Sequence, residues 1–120
     1  MINIKYPSTI TGHTAQASLT GPSMVDVVSN PLSSGKVYRI YNIRALCTNT
    51  GTDPTIKAYI EENSVSRAID IDDSYVHNLN ESRLLLLTKD YVYLEEGQKL
   101  RMQSGQGSSF NVFCTYDIVQ

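Results

Sequence analysis

The closing run Phe110-Asn111-Val112-Phe113-Cys114-Thr115-Tyr116-Asp117-Ile118-Val119 places Phe110, Val112, Cys114, Tyr116 and Ile118 at every second position. A strand sends alternate side chains to opposite faces, whereas a helix would scatter these five around its circumference. The spacing therefore predicts a strand with one buried face, with Phe113 and Val119 on the other. Upstream, Leu84-Leu85-Leu86-Leu87 and Tyr91-Val92-Tyr93-Leu94 form a dense apolar block. The turn Glu95-Glu96-Gly97-Gln98 separates that block from a further strand over 99–104.

The other long strand is predicted over Lys36–Thr48. Strict alternation fails there, because either phase puts one arginine, Arg39 or Arg44, among the apolar positions. A β-bulge near Tyr41-Asn42 resolves the conflict. It turns Tyr38, Ile40, Ile43, Ala45 and Cys47 inward and both arginines outward, and avoids burying an unpaired charge. Shorter strands are predicted over 14–20, 24–28 and 55–62, the last with Ile56, Ala58 and Ile60 inward. Gly21-Pro22, Ser29-Asn30-Pro31 and Asn49-Thr50-Gly51-Thr52-Asp53-Pro54 supply the turn chemistry between them. From Asn63 to Ser82 the pattern weakens, with short strands expected at Ala68–Ile71 and Tyr75–Leu79 and room for a helical turn around 69–75.

Seven to ten short strands without a helical period predict an all-β protein, an antiparallel, jelly-roll-like β-sandwich. Residues 1–13 contain Pro7, which is confined to strand ends and edges, and are expected to form an N-terminal arm or edge strand. Residues 14–120 make a single sandwich domain, since 120 residues suffice for one core.

Charge and cysteine usage narrow the partners. The net charge of −2 leaves no basic footprint for nucleic acid. Residues 1–60 carry five basic and two acidic side chains and residues 61–120 five basic and ten acidic, but an intertwined β fold mixes the halves in space. No stretch approaches the ~20 apolar residues of a membrane span, and Met1–Pro7 lacks the apolar run of a signal peptide, so synthesis in a cytoplasm is expected. Cys47 and Cys114 are then expected to be free buried thiols acting as small hydrophobes.

No set of residues assembles into a catalytic motif, and no enzyme activity or cofactor is expected. Asp70-Ile71-Asp72-Asp73 lacks the glycine and distal glutamate of a calcium loop. Glu61-Glu62, at the end of the 55–62 strand, and Glu95-Glu96, which with Gly97 reads as an exposed turn, give no sign of a glycosidase pair. His13 and His77 are isolated and are expected on the surface, and Gly105-Gln106-Gly107 precedes no helix that would hold a phosphate. Eight tyrosines and no tryptophan leave sugar stacking open as an alternative use of the aromatic residues.

The more informative feature is surplus apolar content. Both phases of 84–94 are apolar, and Phe113 and Val119 lie opposite the core series of their strand. Such runs belong to strands covered on both faces, yet a two-layer sandwich covers only one face of each sheet. Either loops at the rim cover the remainder, or neighbouring molecules do. Closed self-association is the simpler solution. The expected contact residues are Ile2, Ile4 and Tyr6 of the arm with Tyr41, Tyr59, Tyr93 and Phe113, and removal of residues 1–12 is expected to weaken assembly while sparing the fold.

Several stretches also resemble a known group. "Tyr-Val-Tyr-Leu-Glu-Glu-Gly-Gln-Lys-Leu" (91–100), the ending "Thr-Tyr-Asp-Ile" (115–118) and "Gly-Lys-Val-Tyr-Arg-Ile-Tyr-Asn-Ile" (35–43) followed by "Thr-Asn-Thr-Gly-Thr" (48–52) are similar to small β-sandwich virion proteins of tailed bacteriophages. The resemblance covers about residues 35–119 and rests on strands and turns. It implies a virion structural protein made in the host cytoplasm, foremost a capsid decoration (cement) protein, with a neck or tail accessory as the alternative; a carbohydrate-binding receptor-recognition jelly roll is a separate alternative that rests on the tyrosines. The implied partners are copies of itself, a trimer foremost, and major capsid or neck proteins, with no nucleic acid or membrane. It carries over no catalytic residues.

Overall fold

The computed structural model describes residues 9–86 and 91–120. Nine strands follow in chain order: β1 (Ile10–Leu19), β2 (Val25–Ser29), β3 (Val37–Asn49), β4 (Ile56–Glu62), β5 (Val65–Ala68), β6 (Ser82–Leu86), β7 (Val92–Leu94), β8 (Lys99–Ser104) and β9 (Ser109–Val119). No helix occurs among the described residues. One sheet runs β1-β9-β3-β6, with β7 also paired to β3; the other runs β2-β8-β4-β5. Every pairing is antiparallel. The first strand lies beside the last, and the chain crosses between layers at every connection except β4–β5 and β6–β7, which is the arrangement of a jelly roll.

The two long strands hold the centre. On β9, Phe110, Val112 and Cys114 are buried, and Tyr116 and Ile118 pack partly buried against the same core. On β3 the register slips between Ile40 and Asn42, which makes Tyr41 the extra residue of a bulge. Tyr38, Ile40, Ile43, Ala45 and Cys47 are consequently all buried, while Arg39 is half-buried and Arg44 exposed. The bulge thus keeps both guanidinium groups out of a core that could not solvate them. Ile56, Ala58, Leu100 and Met102 close the core from the opposite sheet.

The cysteines are buried and free. They face Phe110 and Ile43 respectively across the β3–β9 pairing rather than each other. Burial raises both thiols and pushes Cys114 up to about 12, so neither is a nucleophile at neutral pH.

Three regions differ from the sequence-based expectation. Ala68–Ile71 and Tyr75–Leu79 are not strands: β5 ends at Ala68, and residues 69–81 form a bent connection. The hairpin comes earlier, because Asn63 and Ser64 both adopt positive φ (51° and 65°), the left-handed pair of a two-residue turn. The block 84–94 divides into β6 and β7, which pair with different parts of β3; Leu87 lies outside the described residues. Thr9 exchanges backbone hydrogen bonds with Gln120 (2.9 and 3.1 Å), and β1 begins at Ile10, inside residues 1–13 expected as an arm or edge strand, so removal of residues 1–12 does not spare the fold's elements. Truncation after residue 12 would therefore cut into β1, which is paired with β9.

At the Leu19 end of the sandwich the 49–55 and 104–108 loops meet backbone to backbone. A Cβ on Gly51 (φ +52°) would overlap the Gly107 carbonyl, and one on Gly105 would overlap Asp53. Only glycine permits that approach.

Candidate functional site

The sandwich presents two outer faces of different chemistry. On the four-stranded sheet, Asp26 of β2, Lys99 and Arg101 of β8 and Glu61 of β4 stand side by side in register. Arg101 Nη1 donates to Glu61 Oε2 at 2.8 Å, and its Nε lies 2.7 Å from Asp26 Oδ1, an ion pair by distance although misaligned for a hydrogen bond. Lys99 Nζ reaches Asp26 at 3.5 Å and Glu61 at 3.9 Å. The hydrogen bond to Glu61 raises the Arg101 pKa against the opposing effect of desolvation. Alternating charge at this density suits contact with water. Tyr59 sits half-buried on this face, paired with Arg101 and Ala68.

The five-stranded face is mixed. Arg44 is flanked in register by Phe113 of β9 and Leu84 of β6, and Leu46 follows two positions along. Their neighbours Ile43, Ala45, Cys47, Val112 and Cys114 are buried, so alternation turns Phe113, Leu46 and Leu84 away from the core. All three are only half-buried. Toward the other end of β3 the Arg39 guanidinium pairs with Asp117 at 2.8 Å and lies 5.5 Å from the centre of the Tyr91 ring. Tyr91 and Tyr93 stand edge to face at 6.5 Å, 51% and 41% exposed. The Asp117 hydrogen bond raises the Arg39 pKa, so this cation persists at any accessible pH.

The expected contact residues are therefore distributed. Tyr93 and Phe113 share the five-stranded face but lie at different ends of it, Tyr41 occupies the bulge between them, and Tyr59 is on the opposite sheet. Ile2, Ile4 and Tyr6 lie outside the described residues.

His77 corrects the sequence-based reading. It is 2% exposed, not a surface residue, and packs edge-on against Tyr75 (4.8 Å) and Phe110 (4.9 Å). Asymmetric loop packing put it there, and periodicity carries no signal for that. His13, in contrast, is exposed and stacks on Tyr116 at 5.5 Å. The acidic cluster is committed elsewhere: Asp72 accepts from the Ser74 hydroxyl at 2.9 Å and lies 3.6 Å from Arg83. Among the described residues no three His, Cys, Asp or Glu side chains are placed to hold a metal ion.

No protein-family description matches the chain, and no curated protein matches it. Solved structures similar in shape include two of assembled proteins. One is a chain from Bacillus endospore appendages, described as disulfide-linked pili, with TM-score 0.48, 12% identity and coverage of 93% of this chain and 88% of that one. The other belongs to the capsid asymmetric unit of cyanophage Pam1, with TM-score 0.49, 10% identity and coverage of 95% and 86%. Likeness at this level carries no function across.

Proposed function

We propose that this chain is a structural assembly module of a tailed-phage virion, a capsid decoration protein whose five-stranded face is covered by neighbouring subunits. The observation that carries the assembly reading is the outward set Phe113, Leu46 and Leu84 around Arg44, on the sheet whose counterpart is a ladder of charges. The virion setting is supported by the resemblance of residues 35–119 alone.

The chain folds before it assembles in this reading. Its accessible surface is 6764 Å², against the ~6,500 Å² expected of a compact monomer of this mass. Stable interfaces take roughly 800 Å² from each partner, and symmetric repetition multiplies modest contacts into avidity. The test is co-sedimentation with isolated phage heads, with wild type and Phe113→Asp side by side. Binding by wild type and its loss in the variant is the expected result; equal sedimentation of both removes the face from the account.

A second reading, glycan binding, is favoured by one cluster. Exposed Tyr91 and Tyr93 beside the Arg39–Asp117 pair offer stacking rings next to hydrogen-bonding groups. Reproducible glycan-array binding that disappears in Tyr91→Ala would establish it.

A further inference from the structure

We propose that His77 is an acid-sensitive latch: its neutral ring pins the 69–81 connection over the Phe110 end of the sandwich, and proton uptake releases that segment. The connection is itself no strand and is held at separate points, beginning with the Ile69 amide, which donates to the Ala58 carbonyl of β4 (3.0 Å). The His77 amide donates to the Pro54 carbonyl (3.0 Å), the Asn80 amide to the Cys47 carbonyl (2.8 Å) and the Cys47 amide to the Glu81 carbonyl (3.0 Å). Glu81 is the internal brace. Its carboxylate accepts from the Tyr75 hydroxyl at 2.6 Å and from the Asn78 amide at 3.0 Å, while Arg83 stacks 3.5 Å from the Tyr75 ring centre. Val76 and Leu79, 62% and 57% exposed, flank the buried histidine.

The ring itself sits where a cation is poorly accommodated. Both nitrogens of an imidazolium are donors, and buried Nδ1 has no hydrogen-bond partner. Its nearest carboxylate oxygen, Glu81 Oε1, is 4.0 Å away. Phe110 of β9 and Tyr75 present ring edges or faces rather than acceptors. The charged groups acting on the ring are Glu81 and Asp72, which favour the cation, and Arg83 of β6, which opposes it; desolvation outweighs them and lowers the His77 pKa.

The sign follows. A histidine whose folded pKa lies below its unfolded value of about 6.5 leaves the open form binding more protons, so closure is fully favoured above that value. It weakens as pH falls toward the folded pKa. For one proton the closed-to-open ratio drops about tenfold per pH unit in that window. Loss of Glu81 charge belongs to a separate, more acidic window, because hydrogen bonds from Tyr75 and Asn78 hold its carboxyl below the ordinary value.

The experiment is amide exchange of the intact chain by NMR at stepped pH, corrected for intrinsic rates, with a parallel titration of both histidine rings. Protection of the His77 and Asn80 amides is expected to fall as pH drops below about 6.5, by at most about tenfold per unit, and to stay level in His77→Phe. The His77 ring is expected to take up its proton only below the ordinary histidine value of about 6.5. Level protection in wild type overturns the latch. So does a His77 ring that takes up its proton while the 69–81 amides remain protected, a result that needs no variant. Neither readout depends on assembly, so the latch and the decoration reading can fail separately.

Discussion

The two outer faces share one core and differ in what they ask of their surroundings. Asp26, Arg101, Lys99 and Glu61 satisfy one another across three strands and need only water beyond. On the five-stranded sheet, Phe113, Leu46 and Leu84 turn outward and are only half-buried. A sandwich hides one face per sheet, so the chemistry of the second face records what lies against it. On the proposed reading, one sheet is finished for solvent and the other for a neighbour.

Cutting into the common core should give the largest effect and spare neither face. Ile43→Ala removes a fully buried side chain beside the β3 bulge and should lower stability by about 2–5 kcal/mol, read by chemical denaturation. Next, Phe113→Asp should weaken self-association at least ~30-fold, the scale of a 2 kcal/mol interface hot spot, with an unchanged circular dichroism spectrum. Tyr59→Asp, at the equivalent depth on the charged sheet, should leave native mass unaltered. Equal effects of these two substitutions would erase the distinction between the faces. The smallest effect is expected of Arg101→Gln, which breaks the ladder at its centre. Exposed ion pairs are screened by salt, so its small loss in thermal midpoint should shrink further at 1 M NaCl, with no change in assembly.

What the sequence disclosed follows from the range of the forces involved. The alternation of Phe110, Val112 and Cys114 and the arginine conflict on either side of Tyr41 are local, and both are realised in the fold. The glycine and asparagine turns are local too. By contrast, Arg39 meets Asp117 across 78 positions, and no spacing rule connects them. His77 reads as isolated because its surroundings come from distant parts of the chain: Pro54 from the β3–β4 loop and Phe110 from β9. The apolar alternation around Tyr75–Leu79 resembled a strand, yet Val76 and Leu79 are exposed and only the histidine turns inward. Surplus apolar content was legible as a quantity. Which strands bring Phe113, Leu46 and Leu84 together was not, because that depends on how the strands pair.

Native mass by size-exclusion chromatography with light scattering, followed over a hundredfold dilution, tests the central claim most directly. Wild type should elute as a whole-number multiple of 13.4 kDa, with Tyr59→Asp matching it and Phe113→Asp reduced to the single chain. A wild-type protein that stays at one chain's mass at every concentration, while its fold remains intact, would contradict the account.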